Sequence, residues 1–200
     1  MPSIGLTGTV GSGKSYALEV LADLGAETLQ ADKVGHALLG EPEVKNMVIR
    51  LFGPGVIGTE GELVRARIGG IIFTDANQRD RYDAIIRPLL LGRLKEWLAK
   101  PRPPELVVVL EAALIPEWGI EEWFDEVWCI WCSDETALSR WQREPESYWR
   151  IRGAQFAPEK KLAKAERVIE NERSKEEYRR RIKAEFSRFT GNLHGGGGGG

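Results

Sequence analysis

Gly8-Thr9-Val10-Gly11-Ser12-Gly13-Lys14-Ser15 follows the apolar run Ile4-Gly5-Leu6-Thr7 and leads into residues with helical periodicity up to about residue 24. The octet fits the pattern G-x-x-x-x-G-K-[ST] in full. Gly8, Gly11 and Gly13 allow the backbone to curl, so that the N–H groups along Val10 and Ser12 converge on phosphate oxygens that bulkier residues would block. The helix starting near Lys14 adds the positive end of its dipole. Lys14 brings a mobile cation for β and γ phosphates, and Ser15 a hydroxyl for Mg2+. A strand before and an amphipathic helix after are the setting this motif needs, and they point to a protein that binds ATP.

Outward from the loop, Gly25 stops the first helix and 26–30 reads as a second short strand. Residues 41–100 are mostly helical in pattern, broken at Gly53-Pro54-Gly55 and at 58–61. Leu106-Val107-Val108-Val109-Leu110 is a continuous apolar run, as expected of a strand buried on both faces. A fourth strand is read over 125–132, a fifth at Arg167-Val168-Ile169, and a charged amphipathic helix from Ser174 onward. Residues 142–158 are polar, basic and aromatic with little clean period, and are read as irregular. Strands alternating with helices imply an α/β fold, a P-loop NTPase-type three-layer α/β/α arrangement around a parallel sheet. One domain over 1–193 is expected, with a helical insert at about 32–100 and a lid at about 142–158.

Two hundred residues suffice for a sizeable core, and a formal charge of -2 gives no electrostatic reason to expect nucleic acid or an anionic membrane. No basic leader with an apolar stretch and cleavage site is present, nor an apolar run long enough for a bilayer, so a cytoplasmic location is the expectation. The two cysteines, Cys129 and Cys132, lie in a run that reads as a strand, where their spacing sets them on opposite faces. They are read as structural. Most of the seven tryptophans are read as packing residues. His194 and the glycines at 195–200 cannot form a core, and a flexible tail is expected there.

Phosphoryl transfer needs a group to deprotonate the attacking hydroxyl and cations over the transferred phosphate. Asp32 lies just past the second strand, at the carboxyl end of a parallel sheet where ligands bind. Its spacing fits equally a helix cap. Arg140, Arg143, Arg150 and Arg152 could supply the cations, or form a solvated basic face.

The residues quoted so far, taken with others in order, resemble the dephospho-CoA kinase family over nearly the whole chain. The matching series includes Ile4 to Gly8 with Gly11 to Ser15, Ala31-Asp32 with His36 one helical turn on, and Leu51-Phe52-Gly53. Gly61-Glu62-Leu63-Val64-Arg65 and Ile72-Phe73 follow, then Glu111-Ala112, Leu114, Glu117, Asp125, Arg140 and Arg143. Gln155, Glu159-Lys160, Val168-Ile169 and Asn171 complete it. The resemblance implies a nucleotide core, a helical acceptor-binding insert and a lid. ATP and Mg2+ would sit at the P-loop, and the acceptor would be the ribose 3′-hydroxyl of dephospho-CoA. It implies that Asp32 is the catalytic base, with Lys14 and Arg143 acting on the phosphates. His36, Arg65, Arg87 and Glu111 would join Asp32 around the acceptor, in a monomer or small homo-oligomer.

The sequence departs from the family pattern in places. Gln30-Ala31-Asp32 stands where Asp-Ala-Asp is usual, and Arg87-Pro88 where His-Pro is usual. Ala113-Leu114-Ile115 replaces Pro-Leu-Leu, and Tyr16 replaces a small hydroxyl residue. An arginine at 87 could still meet an anionic acceptor, but it cannot act as a neutral imidazole. Two other functions fit the motif: a P-loop kinase for a nucleoside monophosphate or another small acceptor, and a nucleotide-binding regulatory protein without transfer activity. The first differs in its acceptor profile, and the second would bind nucleotide and phosphorylate nothing.

Overall fold

β1 (Ser3–Gly8) is the middle of a five-stranded sheet. The others are β2 (Glu27–Gln30), β3 (Val108–Glu111), β4 (Glu126–Trp131) and β5 (Arg167–Glu170), and the order is β2-β3-β1-β4-β5. β1 pairs in parallel with β3 and β4, and β4 with β5, with Leu6 opposite Glu111 and Gly8 opposite Ile130. β3 therefore separates β1 from β2. The structure is a computed structural model and describes residues 1–195, with side chains through residue 193. The chain divides into two compact units, one of residues 1–29 and 102–200, the other Gln30–Pro101.

In the first unit, α1 (Lys14–Asp23) and α10 (Lys175–Gly195) pack on each other and on the sheet. Their core joins Ile4, Leu6, Val107, Val109, Trp128 and Ile130 with Val20, Leu21, Ile182 and Phe189. Burying a large aliphatic side chain in such a core contributes about 1.5–3 kcal/mol. Val107 to Leu110 are all buried, so the unbroken apolar run is covered on both faces as read. Thr7 and Cys129 alternate with these core residues and face the other way. α6 (Ile115–Trp118) and α9 (Pro158–Leu162) pack against β1 and β4, respectively against β1 and against both. Arg102 holds Glu27 bidentately at 2.7 and 2.8 Å, tying the start of β2 to the segment that leads into β3.

α7 (Asp134–Ser139) begins at Ser133, whose hydroxyl caps the N–H of Thr136. The stretch read as irregular instead contains α8 (Pro145–Gly153) as well as the start of α9. Each opens with a proline in its first turn, where no N–H is needed. α8 buries only Tyr148, so it has no apolar stripe for a periodicity reading to find.

The second unit consists of α2 (Ala31–Gly40), α3 (Pro42–Phe52), α4 (Arg65–Ile72) and α5 (Ala76–Leu98). Its own core is built on Leu38, Val44, Val48, Val56, Ile68 and Ile86. Asp75 caps α5 by accepting from the N–H groups of Asn77 and Gln78, and Pro88 lies inside that helix. Asp32 is not a cap. Gln30 holds the N-cap position of α2, and Asp32 follows in its first turn, because the helix starts at Ala31 directly after the strand, two residues earlier than the capping reading needs. Cys129 and Cys132 are both buried free thiols, pushed up to about 11 by burial. The tail expected from His194 onward lies outside the described residues, apart from the backbone of His194 and Gly195 at the end of α10.

Candidate active site

β1 ends at Gly8, and the chain must turn sharply there to enter α1. Gly8 has φ 145°, and a Cβ on it would stand 2.2 Å from the Ile130 carbonyl oxygen of β4. Gly13, at φ 97°, would press a Cβ to 2.4 Å from Asn171 Nδ2. Both positions therefore exclude any side chain.

Three carbonyls of the loop are held by hydrogen bonds. Asn171 Nδ2 donates to the Ser12 carbonyl at 2.8 Å, and the Tyr178 hydroxyl donates to the Gly13 carbonyl at 3.1 Å. The Thr9 carbonyl accepts from the Ser12 hydroxyl and the Lys14 ammonium, each at 2.8 Å. The first turn of α1 adds N–H groups that have no partner within the helix. In the structure Val10 N–H donates to Gln155 Oε1 at 3.0 Å and Ser12 N–H to the Thr9 carbonyl at 3.3 Å. The Ser15 hydroxyl is exposed on the first turn of α1.

Behind the loop, a polar network fixes the segment after α8. Lys161 is fully buried and donates to Glu117 at 2.6 and 2.8 Å and to the Ala113 carbonyl at 2.6 Å. Glu117 also accepts the Phe156 N–H at 2.8 Å, immediately after Gln155. Burial draws the Lys161 ammonium below its ordinary pKa, against the opposing pull of Glu117. Glu117→Ala would leave a buried cation without its partner, which costs about 3–5 kcal/mol. Denaturant unfolding of that variant checks this, and a loss under about 1 kcal/mol would contradict the network's role. Tyr16 tilts onto Tyr178 at 5.8 Å between ring centroids, with the Lys175 ammonium 4.5 Å over its ring, so the unusual residue after Ser15 extends the support of the loop.

The four arginines separate by their surroundings. Arg140 donates to the carbonyls of Asn171 and Arg173, and Arg152 to Asp134 and the Phe156 carbonyl. Arg143 and Arg150 are exposed, the former 5.9 Å from the centroid of the Trp141 ring. Glu111 is buried at the carboxyl end of β3, beside β1. The structure thus brings Gly8 to Ser15, Glu111 and Arg143 into the first unit. Asp32 and His36 lie one turn apart and exposed on α2, Arg65 at the start of α4 and Arg87 on α5, all in the second. Among the described residues, no three or more His, Cys, Asp or Glu side chains gather as a metal cage. No described helix is long and apolar enough to cross a membrane.

A parallel sheet whose middle strand delivers a phosphate loop into a helix, with further helices after β4 carrying arginines, is the architecture of a P-loop kinase. Within that class the chain belongs to the dephospho-CoA kinase family, whose model matches residues 2–177. It is 32% identical over 204 residues to a dephospho-CoA kinase from Symbiobacterium thermophilum, covering 98% of this chain and 84% of that one. It is 33% identical to the enzyme of the same name from Geobacillus kaustophilus, over 91% of this chain and 94% of the relative. The solved dephospho-CoA kinase from Campylobacter jejuni shares the fold with a TM-score of 0.70 at 22% identity, covering 95% of this chain and 98% of that one.

Gln155, Asn171, Tyr178, Glu117 and Lys161 are the supporting residues that sequence reasoning left without a role. Three of these, Gln155, Asn171 and Glu117, stood in the matching series, but nothing local to them indicated what they bind.

Proposed function

We propose that this chain transfers the γ-phosphate of ATP to the ribose 3′-hydroxyl of dephospho-CoA, giving CoA and ADP, the last step of coenzyme A synthesis, in the cytoplasm. The observation that carries this reading is the P-loop, with its Ser12 and Gly13 carbonyls held by Asn171 and Tyr178, in a chain of this family. The glycine-rich loop and the N-terminus of α1 form a cradle that suits a triphosphate. Lys14 exchanges its bond to the Thr9 carbonyl for oxygens of the β and γ phosphates. Ser15 would hold Mg2+ through its hydroxyl, the ion neutralising charge on the bridging oxygens when bound.

Asp32 accepts the proton of the attacking hydroxyl, a role open to a first-turn carboxylate that is not engaged as a cap. Arg143 offers an exposed guanidinium to the transferred group. The second unit is the acceptor-binding insert, with His36, Arg65 and Arg87 as contacts, joined by Glu111 from β3; residues 142–158 serve as the lid. Release of ADP with Mg2+ and a panel of acceptors tests the assignment. Turnover with dephospho-CoA alone is expected. Turnover with a nucleoside monophosphate and not with dephospho-CoA would keep the kinase and discard the acceptor.

A further inference from the structure

Pro88 has no N–H, so within α5 the carbonyl of Ala84 lacks the donor that residue 88 would otherwise supply. Around that break, Asp80, Asp83, Ala84, Arg87 and Pro88 line a surface recess of about 370 Å³. Arg87 is exposed but already engaged within its own helix. Its Nη2 donates to Asp83 Oδ2 at 2.8 Å, one helical turn back, with the two side chains 45% and 36% exposed. The recess therefore combines a cation already in use, a backbone carbonyl short of a donor, and carboxylates. A ligand suited to it carries one anionic group for Arg87 and amide or hydroxyl donors for the remaining acceptors. A pyrophosphate attached to an amide-bearing arm, as in dephospho-CoA, has that chemistry.

We propose that Asp83 is a specificity-setting residue that governs how tightly the anionic acceptor binds, by competing with it for Arg87. This rests on the reading of Arg87 as an acceptor contact. An exposed i,i+4 ion pair is weak and easily exchanged, whereas a guanidinium meets a phosphate bidentately and with a stronger charge-assisted bond. The acceptor's phosphate wins Arg87, and the cost of displacing Asp83 from it is paid in affinity. Asp83 touches neither ATP nor the reacting atoms, so its effect falls on the KM for the acceptor.

Steady-state kinetics of the wild-type protein, Asp83→Asn, Arg87→Ala and the double variant test this. Asp83→Asn is expected to lower the KM for dephospho-CoA by about two- to fivefold, leaving kcat and the KM for ATP unchanged. Arg87→Ala is expected to raise the acceptor KM by roughly tenfold, and adding Asp83→Asn to it should then change nothing. An unchanged or raised acceptor KM in Asp83→Asn overturns the proposal. So does an equal fall in KM with and without Arg87, which would reduce Asp83 to a simple repulsive charge. If Arg87→Ala raises KM while Asp83→Asn is inert, only this inference falls. If Arg87→Ala leaves KM untouched, the reading of Arg87 as an acceptor contact falls with it. Thermal melting of each variant confirms the fold, which loses only one exposed pair.

Discussion

Asp32→Asn is expected to cut turnover of dephospho-CoA by about 10²–10⁴-fold while ATP binding stays near wild type. The carboxamide keeps the shape of the side chain and removes its ability to take a proton. Asp32 is exposed in the first turn of α2, where a carboxylate also favours the helix dipole. That interaction is worth about 0.3–1 kcal/mol, too little for its loss to unfold the chain. The effect should therefore appear in kcat and not in the melting temperature. ADP release at saturating substrates, beside calorimetric titration of ATP, separates the two. Unchanged turnover would leave Asp32 with the dipole alone.

Lys14→Ala is expected to lower kcat/KM for ATP by about 10²–10³-fold, the scale of losing one donor to developing charge. It differs from Asp32→Asn in where the loss falls. The ammonium contacts phosphate oxygens before and during transfer, so KM for ATP should rise as kcat falls. In the structure Lys14 reaches back to the Thr9 carbonyl, inside the loop it serves, so the exchange to phosphate needs no long movement of the side chain. Initial rates across a range of ATP concentrations check this, and full activity in that variant would undo the assignment of the loop.

Local pattern made the phosphate loop and the strands legible. The loop is contiguous, its glycines serve the backbone at their own positions, and β3 is buried through Val108 to Glu111. What supports the loop could not be read in this way. Gln155 reaches Val10 across 145 residues, Asn171 reaches Ser12 across 159, and Tyr178 reaches Gly13 across 165. Those contacts exist because β4 lies beside β1 and β5 beside β4 in the sheet, an order that no spacing within a segment encodes. Lys161 gave no local signal, yet it is fully buried against Glu117. α8 escaped because its single buried residue, Tyr148, is anchored by a hydroxyl to Asp134 rather than by an apolar stripe. The second unit showed the opposite balance. Its helices were visible, while the engagement of Arg87 by Asp83, one turn back on α5, went unread.

The most direct test of the central claim is to identify the product formed from ATP, Mg2+ and dephospho-CoA, by mass and by the phosphorus resonance of the new ester. The account predicts one added phosphate on the ribose 3′-hydroxyl, appearing in step with ADP. ADP without CoA, or a phosphate carried on any other position, would contradict it.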